Sequence, residues 1–495
     1  MPTSITEENQ INRPTKDYMI SDRELISTDI EKYLSRHEEK QILKFLTCGS
    51  VDDGKSTLIG RLLHDTNTVY TDHLEAIARD TKRIGKDDDE LDLSLLVDGL
   101  QAEREQGITI DVAYRYFSTS ERKFIIADCP GHQQYTRNMA TGASNCDLAV
   151  ILIDAQQGVQ TQTKHHTYVT HLLGIRHLVI AINKMDLVDY EQEQFEAIKS
   201  EFQSYLDSLG NPDVQFIPLS AKKGDNVVAR SMNMDWYTGP TILSYLHSFP
   251  VTQIRDFESF RMVIQRVNHP HDNFRGYSGT LASGTIQKGQ SIRVMPSGIE
   301  TKIERIVTMD GDLEQAFAPM SVTITLEDEL DASRGDVLID LEHPLQPKSE
   351  LNANLVWMDD DALNMDRKYI VKHGASQVLA KVDKLYHQVH IEDLSRKKMH
   401  SLQKNDIGVC KLILDRPICC DTYSRNRMLG GFILIDRLSN RTVAAGMINS
   451  SEEGEMLGGL TNTSSKISSS KTFPVDRHAS RPPITRPLPK QIATG

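Results

Sequence analysis

A phosphate-binding loop near residue 50 constrains the fold of this chain more than any other feature. Residues 48–57 read CGSVDDGKST, and Gly49, Gly54, Lys55 and Ser56 have the spacing G-x-x-x-x-G-K-S. The preceding QILKFLT has the composition of a buried strand, and the following KSTLIGRLLHD has helical apolar spacing. A strand, a glycine-rich loop and a helix in this order predict a nucleotide-binding α/β domain.

The loop also predicts which atoms contact the nucleotide. Backbone N–H groups approach phosphate oxygens closely, Lys55 reaches the β- and γ-phosphates, and Ser56 ligates Mg²⁺. The sequence does not explain why two aspartates stand next to a polyphosphate. The predicted nucleotide-binding positions of the loop are Gly49, Ser50, Val51, Asp52, Asp53, Gly54, Lys55, Ser56 and Thr57.

A second motif, DCPGH, directly follows the apolar run KFIIA. Asp128 stands at the end of that strand, where it can hold Mg²⁺ directly or through water, and Gly131 can turn its N–H toward the γ-phosphate. His132 then lies where it can orient an attacking water. We predict that Cys129 and Pro130 complete the nucleotide site, and we do not expect Cys129 to act as a nucleophile.

A third motif, NKMD, selects the base. It follows the buried run HLVIAI. Asp186 can accept hydrogen bonds from guanine N1 and N2, while Asn183, Lys184 and Met185 support the base and the loop. Adenine would leave Asp186 unpaired, so this site rejects it strongly. The sequence therefore predicts GTP.

A fourth motif, EREQGITID at 103–111, contains a candidate switch residue. Thr109 can complete the Mg²⁺ shell and sense the γ-phosphate. We predict that Lys55, Thr109, Gly131 and His132 carry GTP hydrolysis. The other sixteen histidines, including the adjacent pair His165 and His166, are interpreted as surface or packing residues.

Composition excludes several classes of protein. The formal net charge of −13 gives no sign of a nucleic-acid-binding surface. The longest apolar run, LAVILI at 148–153, is too short to cross a bilayer. Six cysteines without a C-x-x-C pair, and an N-terminus without a signal-peptide core, favour reduced thiols. We expect a cytoplasmic protein that binds neither membrane nor nucleic acid.

The pattern of apolar runs changes along the chain. Near-continuous β-branched runs alternate with helical stretches up to about residue 250, which predicts a mostly parallel sheet with helices on both faces. Short, glycine-punctuated strands follow and predict two small all-β barrels. The predicted parts are an N-terminal extension (1–38), a P-loop GTPase domain (39–250), β-barrel domain II (251–345), β-barrel domain III (346–450) and a disordered tail (451–495).

These motifs together resemble the translation-factor GTPases. Within that superfamily the chain resembles the GTPase subunits of bacterial ATP sulfurylase (sulfate adenylyltransferase), through SVDDGKSTLIGRLL, YTRNMATGAS, LLGIRHLVIAINKMDLV and NFRGYSGTLASG. The resemblance covers roughly residues 40 to 450. It assigns Ser220, Ala221 and Lys222 to a further base-binding segment, with the Ala221 N–H facing guanine O6.

The resemblance implies a reaction and a partner. ATP and sulfate give adenosine 5′-phosphosulfate and pyrophosphate, an uphill step that GTP hydrolysis on this subunit would drive. The resemblance also implies a smaller catalytic subunit that forms a heterodimer with the chain and carries adenylyl transfer. The sequence agrees in one respect, because we find no SGGxDS-type pyrophosphate loop in it. The alternative hypothesis is an elongation factor that binds aminoacyl-tRNA, and Ser50, Asp53 and the segment 450–495 count against it.

Overall fold

The computed structural model of the chain contains one α/β sheet followed by two closed β-barrels, which confirms the predicted fold class. Thr109, the extension 1–38 and the tail 451–495 lie outside the residues that it describes. The described residues are 40–66, 93–97, 111–132, 136–210, 212–251, 256–271 and 274–450.

The first sheet has six strands in the order β2-β3-β1-β4-β5-β6. Every pairing is parallel except that of β2, which is an antiparallel edge strand. All seven residues of the central strand β4 are buried, as expected for a strand covered on both faces. The strands are β1 (Gln41–Gly49), β2 (Ala113–Ser118), β3 (Arg122–Asp128), β4 (Leu148–Asp154), β5 (His177–Asn183) and β6 (Asp213–Pro218).

Five helices among the described residues cover this sheet, and each face has its own apolar core. Leu62 of α1 and Leu246 of α5 pack on one face, whereas Met139 of α2, Val169 of α3 and Phe202 of α4 pack on the other. The helices are α1 (Lys55–Asp65), α2 (Thr136–Ala143), α3 (Thr161–Leu172), α4 (Gln192–Ser208) and α5 (Ile242–Ser248), with short 3₁₀ turns at Leu93–Leu96 and Met185–Val188.

The first barrel closes through six antiparallel strands in the cyclic order β11-β16-β7-β9-β15-β12. Alternate residues point inward and form a separate core around Phe260 and Leu281. Its strands and those attached to it are β7 (Arg261–Val263), β8 (Arg266–His271), β9 (Phe274–Ser283), β10 (Thr285–Gln287), β11 (Ser291–Met295), β12 (Ile299–Thr308), β13 (Gly311–Leu313), β14 (Gln315–Phe317), β15 (Ser321–Leu326) and β16 (Val337–Asp340).

The second barrel also closes through six antiparallel strands, in the cyclic order β18-β22-β23-β17-β21-β19. Trp357 and Leu412 lie in its core. The elements are β17 (Pro347–Trp357), β18 (Lys368–His373), β19 (Ser376–Val389), β20 (Arg396–Lys397), β21 (Ile407–Cys419), a short helix α6 (Arg427–Gly430), β22 (Gly431–Asp436) and β23 (Thr442–Ile448).

The second barrel packs on the sheet face that carries α2, α3 and α4. Its Ile407 and Met447 belong to the same apolar cluster as the residues under those helices. Polar contacts add to the interface: the Tyr423 hydroxyl donates to the Leu173 carbonyl at 3.2 Å, and Arg427 Nη1 donates to the Cys146 carbonyl at 2.9 Å. None of the described helices is both long and apolar enough to cross a bilayer.

Candidate nucleotide-binding site

The predicted phosphate loop leaves β1 at Gly49 and enters α1 at Lys55. Gly49 and Gly54 have φ angles of 149° and 89°, which side-chain-bearing residues rarely adopt. A Cβ on Gly49 would lie 2.7 Å from the Leu152 carbonyl oxygen, and one on Gly54 would overlap Asn183 Nδ2. Both glycines are therefore required by close approach of neighbouring strands as well as by backbone conformation.

Lys55 lies across this loop. Its side chain is 7% exposed, and its ammonium donates to the carbonyl oxygens of Ser50 and, at 3.3 Å, of Gly49. Burial lowers the pKa of Lys55, and the carboxylates of Asp53 and Asp128 oppose that effect. A cation is thus held where the loop backbone is positioned to receive phosphate oxygens.

The two adjacent aspartates of the loop differ in environment. Asp52 is exposed in a left-handed conformation with φ 63°. Asp53 is 1% exposed, and its Oδ2 accepts the Ser50 N–H. Burial raises the pKa of Asp53 to about 6, although Lys55 and the Ser50 N–H act in the opposite direction. Asp53 is therefore buried and forms a hydrogen bond within the loop itself.

The DCPGH motif is brought beside the phosphate loop by the pairing of β1 with β3. That register places Asp128 opposite Thr47, whose hydroxyl donates to Asp128 Oδ1 at 3.3 Å. A Cβ on Gly131 would lie 2.7 Å from Lys55 Nζ and 3.1 Å from the Ser50 carbonyl oxygen. The two motifs therefore meet at the Lys55 ammonium.

Cys129 and His132 of the DCPGH motif have different surroundings. Cys129 is fully buried, its N–H donates to the Thr47 carbonyl at 3.2 Å, and burial raises the pKa of its thiol well above the ordinary value. A thiol in this environment is a poor nucleophile. His132 is half-buried next to Gly131, at the end of the same segment.

Asn183 joins the base-binding segments to the phosphate loop. Its Nδ2 donates to the Asp53 carbonyl at 2.7 Å, and its Oδ1 accepts the Ala221 N–H at 2.9 Å. The N–H that the resemblance assigns to guanine O6 thus has an Asn183 partner in this structure. Lys184 lies beside Asn183 and pairs with Asp154 Oδ2 at 2.8 Å.

The segment 220–222 is held from both sides. The Ser220 hydroxyl accepts the Lys223 N–H at 3.1 Å, and the Ser220 carbonyl accepts the Gly224 N–H at 2.8 Å. Arg61, which follows the phosphate loop on α1, donates to the carbonyl oxygens of Ala221, at 3.1 Å, and Lys222. Asp186 is half-buried one turn away from Asn183.

Comparisons with known proteins agree with this arrangement. Residues 40–269 match the family described as Elongation factor Tu GTP binding domain, and residues 350–449 match GTP-eEF1A C-terminal domain-like. Sulfate adenylyltransferase subunit 1 of Saccharophagus degradans is 53% identical over 425 residues, which cover 86% of this chain and 90% of that protein. The chain belongs to the sulfate adenylyltransferase subunit 1 family.

Two further relatives of the chain agree with this family assignment. Sulfate adenylyltransferase subunit 1 of Psychromonas ingrahamii is 52% identical over 88% of this chain and 92% of that protein. A Bifunctional enzyme CysN/CysC of Rhodopirellula baltica is 53% identical over 86% of this chain and 66% of that protein. The GTP-binding domain supports the predicted nucleotide, and these relatives favour the sulfurylase hypothesis over the elongation-factor hypothesis.

The sequence motifs did not indicate two residues that hold the loops of this nucleotide site in place. One is Arg61, whose clamp on the 220–222 segment joins residues 160 positions apart. The other is His166 of α3, which was interpreted only as a surface or packing residue. His166 is fully buried, and its Nδ1 accepts the Gly49 N–H at 3.2 Å. Arg61 and His166 are polar residues within helices, and the sequence around them carries no pattern that predicts these two contacts.

The hydrogen bond from Gly49 fixes the state of the His166 ring. An Nδ1 that accepts an N–H carries no proton, so the proton of the neutral ring is on Nε2. Nε2 lies 2.7 Å from Gln162 Nε2, while Gln162 Oε1 is buried without a partner among the described residues. Exchanging the amide oxygen and nitrogen of Gln162 lets its oxygen accept the Nε2 proton. Burial lowers the pKa of His166 well below the ordinary value, in agreement with a neutral ring.

Proposed function

We propose that this chain is the GTP-hydrolysing, energy-coupling subunit of a sulfate adenylyltransferase. It would drive the conversion of ATP and sulfate to adenosine 5′-phosphosulfate and pyrophosphate. The observation that carries the proposal is a nucleotide site centred on buried Lys55 in a chain 53% identical to a sulfate adenylyltransferase subunit 1. Adenylyl transfer itself is assigned to a smaller catalytic subunit in a cytoplasmic heterodimer.

The residues near Lys55 fit a bound Mg²⁺. Hard oxygen ligands suit this ion, and the chain offers the Ser56 hydroxyl at the start of α1 and the Asp128 carboxylate at the end of the neighbouring strand. We assign Ser56, Thr109 and Asp128 to the metal. When bound, Mg²⁺ neutralises charge that develops on the phosphate oxygens.

Hydrolysis in this proposal depends on positioning. Loop N–H groups and the Lys55 ammonium hold the phosphates, and the Gly131 N–H holds the γ-phosphate. His132 orients the attacking water for in-line displacement. Asp186 selects guanine, while Asn183 keeps the base-binding segment in contact with the phosphate loop. These roles are the ones that the sequence motifs predict.

The γ-phosphate would act as a switch for the assembly. Thr109 and Gly131 hold their segments while GTP is bound, and hydrolysis releases them. The second barrel contacts the loop that follows α3 through Tyr423 and Arg427, so it can respond to such a change. The differential contact of the two nucleotide states with the partner would supply the coupling energy.

The test is pyrophosphate release from ATP and sulfate by this chain together with its small subunit. Reactions contain GTP, no GTP, or a non-hydrolysable GTP analogue. We expect sustained product formation only with hydrolysable GTP and both chains. Equal product formation in all three reactions would contradict the proposal, and binding of charged tRNA in a gel shift would then support the elongation-factor alternative.

A further inference from the structure

The buried carboxyl of Asp53 has a partner on only one side. Its Oδ2 accepts the Ser50 N–H, but its Oδ1 is buried and has no hydrogen-bond partner among the residues that the structure describes. A carboxylate oxygen without donors is strongly disfavoured in a buried site. The residue lies within the loop that receives the most highly charged ligand of the protein.

Two lysines supply the positive charge that faces Asp53, and Asp154 supplies negative charge. Lys55 of α1 is the cation that acts on it most strongly. Lys184, after β5, is also nearby, but it forms an ion pair with Asp154 at the end of β4. Cys48 of β1 is neutral, because burial raises the pKa of its thiol to about 12.

The neutral ring of His166, which contacts the loop at Gly49, adds no positive charge.

Bound GTP would change the balance of charge around Asp53 in one direction. The Lys55 ammonium would pair with phosphate oxygens, so it would no longer offset the Asp53 charge, and the polyphosphate would add negative charge to the same loop. Both changes favour the neutral carboxyl over the carboxylate.

We propose that Asp53 is a positioning residue that takes up a proton when GTP binds. The proton comes from solvent and forms an O–H bond at Oδ1, while Oδ2 continues to accept the Ser50 N–H and holds the loop backbone in place. The inference rests on the proposed GTP site. Because burial raises the pKa of Asp53 only to about 6 without nucleotide, much of the carboxyl is still ionised at neutral pH and can take up this proton.

The proton can be counted by isothermal titration calorimetry of the full chain. A non-hydrolysable GTP analogue with magnesium is titrated at neutral pH in buffers of different ionisation enthalpy. We expect uptake approaching one proton per nucleotide, and an affinity that falls by up to about tenfold per pH unit above neutrality. Asp53→Asn retains an oxygen for the Ser50 N–H and should remove both effects while it still binds the analogue.

A matched control comes from the first barrel. Asp336 is half-buried, its pKa is also raised, and it accepts the N–H of the serine three positions earlier, Ser333, at 2.8 Å. Asp336→Asn should leave proton uptake unchanged. The difference between wild type and Asp53→Asn cancels any proton exchanged by the nucleotide itself.

The outcomes separate the two proposals. A proton count that is the same in wild type and in Asp53→Asn would overturn the role of Asp53 and leave the GTP site standing. A wild-type chain that does not bind the analogue would overturn both. Uptake in wild type and Asp336→Asn that is absent in Asp53→Asn supports the role of Asp53.

Discussion

Asn183 uses both ends of its side-chain amide to join loops that are far apart in sequence. It contacts the backbone of Asp53 in the phosphate loop and of Ala221 in the 220–222 segment. Its neighbour Asp186 has a different task in our account, which is to recognise the edge of guanine. The NKMD motif thus combines a structural residue with a specificity residue, and the two roles can be tested separately.

Changing Asp186 should change the preferred base. Asp186→Asn replaces one of the two carboxylate oxygens that accept from guanine N1 and N2 with an NH₂ group, and this group can donate to the O2 of xanthine. We expect GTP affinity to fall by about 2 kcal/mol, roughly 30-fold, and xanthosine triphosphate affinity to rise. Nucleotide titrations measure both. Asp189→Asn, at an exposed position on the same turn, is the control, and unchanged GTP selectivity in Asp186→Asn would contradict the assignment.

The contact between His166 and Gly49 predicts a stability difference. His166→Leu leaves the buried Gly49 N–H without an acceptor and should lower the free energy of unfolding by about 1–3 kcal/mol. His166→Asn retains an oxygen near the position of Nδ1 and should lose less. Urea unfolding measures the difference. Equal stability of the two variants would show that the hydrogen bond contributes little.

The same histidine predicts part of the response to acid. Because the folded state lowers the pKa of His166, the unfolded chain binds the proton first as pH falls. The stability that depends on the neutral ring is therefore present near neutral pH and is lost on acidification, by up to about 1.4 kcal/mol per pH unit. His166→Asn should show a shallower decline than wild type between about pH 7 and about pH 5.5.

At the scale of elements, local patterns predicted some strands and loops better than others. The fully apolar β4 and β5, and the strand–loop–helix unit around Gly49, carry their signals within a few residues. The edge strand β2 was missed although its sequence, AYRYFS, alternates between half-buried and exposed positions. The contacts of Arg61 and His166 with distant loops could not be predicted. They depend on how the helices pack, and the spacing of apolar residues along a helix does not specify its distant polar contacts.

The close approach of β5 to the phosphate loop predicts the effect of a small substitution. Gly54→Ala would place a methyl group against Asn183 Nδ2 and disrupt the bond to Asp53. We expect GTP affinity to fall at least about tenfold. Gly210→Ala is the control, because Gly210 has a similar φ of 91° and nothing lies near its would-be Cβ. Equal GTP affinity in both variants would contradict this account of the loop.

The short helix α6 predicts how the second barrel is held on the GTPase domain. Arg427 donates to the carbonyl oxygens of Cys146 and Gly174 in the loops around α2 and α3. Arg427→Ala should therefore increase hydrogen exchange in those loops, which mass spectrometry measures. Arg425→Ala is the control, since Arg425 is half exposed and pairs with Asp421 of its own barrel. Equal exchange in both variants would show that Arg427 does not hold the interface.

For the whole molecule, the important feature is that the nucleotide site and the second barrel share structural elements. Helix α3 supplies His166 to the phosphate loop, and the chain that follows it supplies the Leu173 carbonyl to Tyr423 of the barrel. A change at the phosphate loop can therefore reach the second barrel through contacts of α3 and the residues that follow it. The central claim is that nucleotide hydrolysis at this site, and not elsewhere in the assembly, drives sulfate adenylylation.

The most direct test combines the base-specificity variant with the coupled reaction. The Asp186→Asn chain is assembled with the small catalytic subunit that we propose as its partner, and pyrophosphate release from ATP and sulfate is measured with GTP or with xanthosine triphosphate. Our account predicts that the variant assembly requires xanthosine triphosphate, whereas the wild-type assembly requires GTP. A variant assembly that GTP still drives, and that xanthosine triphosphate does not, would contradict the claim that this site supplies the energy.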